Sequence, residues 1–208
     1  MGNFSTLPIV LAVTGASGAI YPLRTARALL ESGRRLEVII SPMGRAVMTE
    51  ELGSEFDRAA GFRGWLGGKL GREITEDEVV EYDHMDLAAP PSSGSHKTGG
   101  MVIAPCSMKT LAAVSHGLSR NLIERAADVT LKERRPLVLV PRECPLSLVH
   151  LRNMTAAGEA GAVIAPASPA FYQHPETFND LADFIAGRVL SILGIPHNLF
   201  ASWGDSAE

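Results

Sequence analysis

Five short, almost purely apolar runs recur along the chain and set the first expectation for its fold. Each run ends at or beside a glycine, serine or proline, which are residues that interrupt regular structure. Unbroken apolar runs of this length suit strands that are buried on both faces, as in parallel sheets. The runs occupy residues 8–14, 36–41, 101–104, 137–141 and 162–165.

Segments with helical spacing of apolar residues separate these five runs. They occupy residues 21–32, 42–52, 109–114, 122–134, 146–157 and 177–193. Strands that alternate with helices in this way predict an α/β fold with a doubly wound, mostly parallel sheet and right-handed crossovers. Two stretches depart from the alternation. Residues 53–82 are irregular, and residues 88–100 are rich in proline, serine and glycine, which predicts a long and therefore functional or disordered loop.

The composition of the 208 residues narrows the class of protein. With 46% hydrophobic and 20% charged residues, the chain is expected to form one globular domain and not a disordered or coiled-coil protein. No apolar run approaches the roughly 20 residues that cross a bilayer, so we expect a cytoplasmic protein with no membrane partner. The net charge of −4 argues against a nucleic-acid partner. Two cysteines and six scattered histidines predict no metal site.

Ligands of open parallel sheets bind beyond the carboxyl ends of the strands, so the residues there are the first functional candidates. The first run is followed by Thr-Gly-Ala-Ser-Gly-Ala at residues 14–19. Ser17 stands where a dinucleotide-binding motif has its second glycine, and Ser41 stands where the acidic ribose ligand is expected. Both departures argue against NAD and favour a phosphate or mononucleotide site. A tight turn without a ligand is the alternative.

Polar residues also follow the later strands. The serine at position 107 begins a predicted helix, where it captures an anion or only caps the helix. Arg142 and Glu143 are either a surface ion pair or an arginine for a phosphate or flavin edge beside a proton-transferring carboxylate. Tyr172 is either a core residue or a phosphate donor. Arg125 and Lys132 share one helix face, which is ordinarily solvated.

Several segments together resemble the UbiX-type flavin prenyltransferases over nearly the whole chain. They are VTGASGA at 13–19, APPSSGSHKTGGMVIAPCSMKTL at 89–111, NLIERAADVTLKERRPLVLVPRECP at 121–145, HLRNM at 150–154, PASPAFY at 166–172 and LGIP at 193–196. The resemblance implies a Rossmann-like or flavodoxin-like three-layer sandwich formed by one domain, residues 1–208. It also implies that about residues 195–208 form an extended tail, packed on the site or on a neighbouring subunit.

The resemblance implies a reaction as well. Reduced FMN would be the substrate, alkylated by dimethylallyl phosphate first at flavin N5 and then at C6, without a metal. The product, prenylated FMN, would pass to a UbiD-type decarboxylase. A homo-oligomer, by resemblance a dodecamer, would form its sites between subunits.

Residue by residue, the resemblance assigns three groups of site residues. It implies that FMN is bound by Gly15, Ala16, Ser17, Ser41, Ser107, Met108, Lys109, Thr110 and Arg142. It implies that the substrate is bound by Tyr172 and Arg188 at the prenyl phosphate and by Ser93 and Ser95, and that Ser93, Gly94 and Ser95 form a mobile segment over the flavin. It implies catalytic roles for Glu143 in proton transfer, for Arg125 and Lys132 at the phosphate, and for Ser17 and Trp203.

Two other functions fit parts of this pattern. A cysteine decarboxylase that uses FMN shares the superfamily, but the segment HLRNMTAAGEAGA at 150–162 lacks the PxMNxxMW pattern of that group. A noncatalytic flavin-binding or carrier protein would not need the basic and acidic residues that the resemblance assigns to the prenyl phosphate. We therefore expect the prenyltransferase.

Overall fold

A computed structural model describes residues 7–53, 56 and 61–200 of the chain. The strands are β1 (Ile9–Val13), β2 (Leu36–Ile40), β3 (Val79–Tyr82), β4 (Gly100–Cys106), β5 (Leu137–Pro141) and β6 (Val163–Ile164). The helices are α1 (Ile20–Glu31), α2 (Pro42–Leu52), α3 (Gly61–Leu70), α4 (Met108–Ser115), α5 (Leu122–Lys132), α6 (Leu148–Glu159) and α7 (Phe178–Ile192). One 3₁₀ turn, Pro90–Ser92, lies in the long loop before β4.

All neighbouring strands of the described sheet are parallel, and their order is β3-β2-β1-β4-β5-β6. The chain moves outward from β1 to β2 and β3, then returns to the other side of β1 to begin β4. The order therefore reverses between β1 and β4, where doubly wound folds open a ligand crevice. The predicted doubly wound, flavodoxin-like α/β fold is confirmed.

Helices cover both faces of the sheet, which explains why most residues of its central strands are apolar. Side chains of β1 alternate: Ile9, Leu11 and Val13 pack in one core, and Val10 and Ala12 pack in the other. The first core includes residues of α1, α3 and α7, and the second includes residues of α4, α5 and α6. The result is the expected three-layer sandwich.

The irregular segment after residue 52 was predicted wrongly. It contains the helix α3 and the strand β3, which raise the described sheet from five predicted strands to six. Helix α3 has the sequence GFRGWLGGKL, and its four glycines weaken the helical signal. Its place is fixed by Phe62, Trp65 and Leu66, which are buried in the core. Tertiary packing, and not local propensity, forms this helix.

The long loop before β4 runs down the flank of α5. Next to the carboxyl end of β3, the carbonyl of His84 accepts the amide of Leu122, the first residue of α5, at 2.8 Å. At the other end, the loop joins Gly100, which is paired with Ile9 at the start of β1. Loop and helix thus pass together from the carboxyl edge of the sheet to its amino edge. In the described part of the chain, no helix is long and apolar enough to cross a membrane.

Candidate functional site

The side chain of Thr14, which is 2% exposed, links the carboxyl ends of β1 and β4 at the bottom of the crevice between them. Its hydroxyl donates to the carbonyl of Pro105 at 2.7 Å and accepts the amide of Ser107 at 2.8 Å. The loops that follow β1 and β4 are therefore tied together at the point where the strand order reverses. Sequence reasoning did not select Thr14 for this role.

Two helices begin beside this crevice, and each begins with a serine predicted to bind FMN. The hydroxyl of Ser41 accepts the amide of Gly44 at 3.0 Å and caps α2. The hydroxyl of Ser107 accepts the amide of Thr110 at 3.3 Å and donates to its hydroxyl at 3.1 Å, which caps α4. Both serines thus orient helix N-termini, with their unpaired amides, toward the same edge. Met108 and Lys109 form the first turn of α4.

The loop after β1 brings its backbone close to α2. A Cβ atom on Gly15 would lie 2.6 Å from Cβ of Met43, so a side chain there would force the loop and the helix apart. Ala16 is buried, whereas Ser17 is exposed at the surface of the crevice. The small residues of this loop therefore serve close packing as well as access for a ligand.

Glu51, at the end of α2, is a member of the site that sequence reasoning missed. Its carboxylate accepts the amides of Gly18 at 2.9 Å and Ala19 at 2.7 Å, at the start of α1, and bonds the hydroxyl of Ser17. Partial burial alone would raise the pKa of Glu51, but these hydrogen bonds and the charge of Arg142 outweigh it and lower that pKa. The α1 amides are thus already satisfied by an anion of the chain itself.

Arg142 and Glu143, directly after β5, do not pair with each other in the described structure. The Nε of Arg142 donates to the carbonyl of Ser17 at 3.0 Å, so the arginine bridges the loops after β1 and β5. The exposed carboxylate of Glu143 accepts the amide of Cys144 at 3.0 Å. The two residues therefore do not form the simple surface ion pair that was the alternative interpretation.

We call the residues at this edge the carboxyl-edge cluster: Gly15, Ala16, Ser17, Ser41, Glu51, Ser107, Arg142 and Glu143. Cys106 ends β4 beneath it and is fully buried, which raises the pKa of its thiol. A thiol that stays protonated is no nucleophile, so Cys106 packs as a core residue.

Tyr172 and Arg188 lie beside α7. The ring of Tyr172 meets the edge of Phe184, with 6.1 Å between the ring centroids. Arg188 is exposed one helical turn after Phe184, on the same face of α7. Phe184 also packs on Phe200, which places the described part of the tail against α7 of its own chain. Trp203 lies outside the described residues, so its predicted role is a prediction still.

The remaining predicted residues form a second group, the flank cluster: Arg125, Lys132, Ser93 and Ser95. The Nε of Arg125 donates to the carbonyl of Ser92 at 3.0 Å, and the ammonium of Lys132 pairs with Glu133 at 2.6 Å. The hydroxyls of Ser93 and Ser95 are 2.9 Å apart. Both basic residues of α5 therefore face the same loop, as their predicted common helix face requires.

The flank cluster is separate from the carboxyl-edge cluster within one chain. Lys132 ends α5 five residues before β5 begins, at the amino edge of the sheet. Cys106 and Pro141 mark the carboxyl edge, and the seven residues of β4 alone span about 20 Å between the edges. Among the described residues, no hydrogen bond or ion pair joins Arg125 or Lys132 to Arg142. Within one chain, Lys132 thus lies at the opposite edge of the sheet from Arg142, whereas Arg125 lies in the first turn of α5.

Comparison with known proteins identifies the family. The Flavoprotein family model matches residues 2–190. The flavin prenyltransferase UbiX of Pseudomonas aeruginosa is 46% identical over 198 residues, which cover 95% of this chain and 94% of that protein. The chain belongs to the UbiX family of flavin prenyltransferases. The predicted family is confirmed, and with it the predicted class of enzyme, a prenyltransferase that uses FMN.

Solved structures agree with this membership in the UbiX family. AnUbiX, in complex with FMN and dimethylallyl pyrophosphate, is 38% identical, has a TM-score of 0.83 and covers 96% of this chain and 98% of its own. A dodecameric FMN-dependent UbiX-like decarboxylase from Escherichia coli O157:H7 is 36% identical, with a TM-score of 0.80 and coverage of 95% and 99%. The cysteine decarboxylase SpaF, at 18% identity and a TM-score of 0.54, shares only the fold. The cysteine decarboxylase alternative is not favoured.

Proposed function

We propose that this chain transfers the dimethylallyl group of dimethylallyl phosphate to N5 and C6 of reduced FMN. The product would be prenylated FMN, with a UbiD-type decarboxylase as its recipient. The observation that carries the proposal is the meeting of two serine-capped helix N-termini and Arg142 at the carboxyl edge of the sheet in a member of the UbiX family. The individual residue roles below are part of the proposal.

The donor set at the carboxyl edge fits a flavin mononucleotide. Two helices begin there under serine caps, and their first-turn amides favour a negatively charged group. Arg142 is held in place by its Nε bond to Ser17, while the other nitrogens of its guanidinium stay available for an acceptor. Hydroxyls and backbone amides border the crevice between β1 and β4, and the carboxylate of Glu51 beside them is already bonded to the amides of Gly18 and Ala19. This chemistry suits a phosphate ester and the polar edge of a flavin ring.

The chain supplies position and charge to the reaction. Reduced FMN brings the nucleophilic nitrogen and carbon, and the protein must place the donor against them. In the proposal, Tyr172 and Arg188 donate hydrogen bonds to the phosphate, which is the leaving group when the allyl group is transferred. Donors fixed before the reaction stabilise charge as it develops on the leaving group. Tyr172 rests edge-on against Phe184, so its ring has a defined orientation for this contact.

Glu143 is the proposed proton acceptor when the second bond forms at C6. Its carboxylate is exposed and accepts the amide of its neighbour Cys144, and a carboxylate has further acceptor positions besides that one. It lies one residue after Arg142, the proposed flavin ligand. A base at this position can reach the flavin without leaving the strand end.

The flank cluster is proposed to serve the site of a neighbouring copy. Arg125 and Lys132 would then add positive charge at the donor phosphate from a second chain. Exposed apolar side chains at the start of α6 support self-association of this chain, and they are Leu146, Leu148, Val149 and Leu151. A dodecameric relative in the UbiX family also supports it.

The central test is a mass measurement. Purified protein is incubated anaerobically with reduced FMN and dimethylallyl phosphate, and the released flavin is analysed by mass spectrometry. The proposal expects a flavin that is heavier by one C5 prenyl unit. A flavin that stays bound but gains no mass would instead favour the noncatalytic carrier.

A substitution tests the proposed base. Glu143→Gln should keep FMN binding and slow prenylation by about 100-fold, since general-base catalysis contributes about that much. Single-turnover rates of prenylated FMN formation measure this. Glu159→Gln, an exposed glutamate at the end of α6, is the matched control. Equal rates for all three proteins would remove Glu143 from the mechanism.

A further inference from the structure

A glutamate is buried in the middle of the sheet, outside both clusters. Glu37 lies on β2, between β1 and β3, and is only 6% exposed. One carboxylate oxygen, Oε1, lies 2.7 Å from Nε2 of His96. The other, Oε2, is buried and has no hydrogen-bond partner among the described residues. Such a group is costly to bury in its charged form, so its presence calls for a role.

The partner of Glu37 belongs to the loop of the flank cluster. His96 follows Ser95 directly, and its amide donates to the carbonyl of Ser93 at 3.2 Å. Arg135, just after α5, donates to the carbonyls of Gly94 and His96, each at 2.7 Å. The backbone of the loop is thus held from the helix side by an arginine. From the sheet side, the imidazole of His96 holds it through Glu37.

The charged and titratable groups around Glu37 determine how the contact between Glu37 and His96 depends on pH. Three charged or titratable side chains face it in the described structure: His96 from the loop, Arg35 before β2 and Tyr82 on β3. Burial raises the pKa of Glu37, and the opposing influence of His96 and Arg35 does not cancel it. Burial therefore favours the neutral carboxyl of Glu37 in the closed arrangement, since an ionised Glu37 would be a buried carboxylate with one oxygen unpaired among the described residues.

The sign of the pH dependence follows from this. Water reaching Glu37 through an opened loop returns its pKa toward the ordinary value, about 4.3. The closed loop therefore holds a proton that the open loop releases, in the range between the ordinary and the raised pKa. Closure is favoured at the acid end of this range and weakens as pH rises through it.

We propose that Glu37 and His96 form a proton-dependent latch that positions Ser93 and Ser95. They are positioning residues, since they act on the two serines through the loop backbone. The latch itself depends only on the contacts of Glu37, His96 and Arg135. Its consequence for the donor site rests on the proposed function, in which Ser93 and Ser95 lie over the flavin.

Hydrogen exchange of the full-length protein tests the latch. Amide protection of residues 92–98 is measured between about pH 5 and pH 8, after correction for the intrinsic exchange rate. In the unmodified protein, protection should fall as pH rises, because the raised pKa of Glu37 favours closure at the acid end of the range. Glu37→Gln keeps the shape without a titrating group and should show no such fall. An identical pH dependence in both proteins would overturn the latch.

Two further variants keep the test decisive if Glu37→Gln folds poorly. His96→Phe preserves an aromatic side chain but removes the proton partner, and should lower protection of residues 92–98 at every pH. Unchanged protection would again overturn the proposal. Glu159→Gln, an exposed glutamate, is the matched control and should retain the full pH dependence.

Steady-state kinetics tests whether the latch affects the donor site, which is a separate question from whether the loop is held by the latch. The KM for dimethylallyl phosphate should rise with pH in the unmodified protein relative to Glu37→Gln, with little change in kcat. A pH-dependent loop without this KM effect would support the latch and overturn its role in positioning Ser93 and Ser95. Absence of prenylation in every protein would contradict the proposed function, while hydrogen exchange would still decide the latch.

Discussion

The carboxyl-edge cluster and the flank cluster are built in different ways from one chain. The first forms wherever parallel strands end: its residues follow β1, β2, β4 and β5, and hydrogen bonds of Thr14 and Arg142 tie those ends together. The second lies where Arg125 of α5 and Arg135, just after that helix, hold a loop by its carbonyl groups. Topology positions the first cluster, and arginine contacts position the second.

This difference has a functional meaning. The carboxyl-edge cluster has two serine-capped helix N-termini beside its crevice, and in the proposed function it holds the flavin phosphate within one chain. The flank cluster has positive charge and hydroxyls but lies on the outside of the sandwich. A surface of that kind becomes part of a pocket only when another surface covers it. The comparison therefore predicts that the two clusters cooperate between copies of the chain.

The largest expected effect comes from mixing two inactive variants. Arg142→Ala removes a fixed charge from the carboxyl-edge cluster, and Lys132→Ala removes one from the flank cluster. Each should lower prenylation by about 100-fold, the scale of a lost electrostatic donor. If the clusters belong to different copies, co-assembled variants should regain activity at about one site in four. Formation of prenylated FMN after co-expression or dissociation and reassembly measures this.

The contrasting result is equally clear. No regained activity in assemblies shown to contain both variants would mean that one chain supplies both charges. Arg120→Ala, an exposed arginine just before α5, serves as the matched control and should be fully active by itself.

A smaller effect is expected from Gly94→Ala. A Cβ atom at this position would lie 2.2 Å from Oε1 of Glu133 and 2.7 Å from Nζ of Lys132. Both atoms end flexible side chains and can move away, so the fold should tolerate the change while the ammonium of Lys132 is displaced. We expect prenylation to fall by about tenfold, with FMN affinity unchanged. Gly68→Ala, where a Cβ meets open space, is the control; equal losses in both variants would contradict this reasoning.

The smallest effect concerns stability at the carboxyl edge. Because the folded pKa of Glu51 is lowered, its carboxylate stabilises the protein above its ordinary pKa. That stabilisation is lost as pH falls through the lowered value. Glu51→Gln should cost about 1 kcal/mol or less at neutral pH, since the group is exposed and screened by water. Urea unfolding at several pH values measures it, and a difference from the unmodified protein that persists unchanged in acid would refute the assignment.

Much of the fold was readable from the sequence, because buried parallel strands are marked by continuous apolar runs. The exceptions have physical reasons. Strand β3 is a short edge strand with one buried residue, Val79, so its pattern is weak. Helix α3 carries four glycines and depends on its packed aromatic residues. Local signals therefore fail where tertiary contacts supply the stability.

For the site, the sequence identified candidate residues but did not predict which of them lie together. Arg125 and Lys132 were assigned to the phosphate together with Tyr172 and Arg188, but α5 carries the first two along the flank. Their separation follows from the strand order, which no single motif contains. The sequence contained one indication of the role of Glu51. Together with Glu50, it puts two acidic residues at the C-terminal end of α2, where the helix dipole disfavours negative charge. Such a departure indicates an external partner, here the amides at the start of α1.

The hydroxyl of Thr14 has a consequence for how this protein opens and closes. It donates its proton to the carbonyl of Pro105, and its oxygen accepts the amide of Ser107. The loops after β1 and β4 therefore cannot fluctuate independently, because separating them breaks two buried hydrogen bonds together. The flavin crevice should behave as one cooperative unit, whose slow opening reports global unfolding, while the loop beside α5 opens on its own.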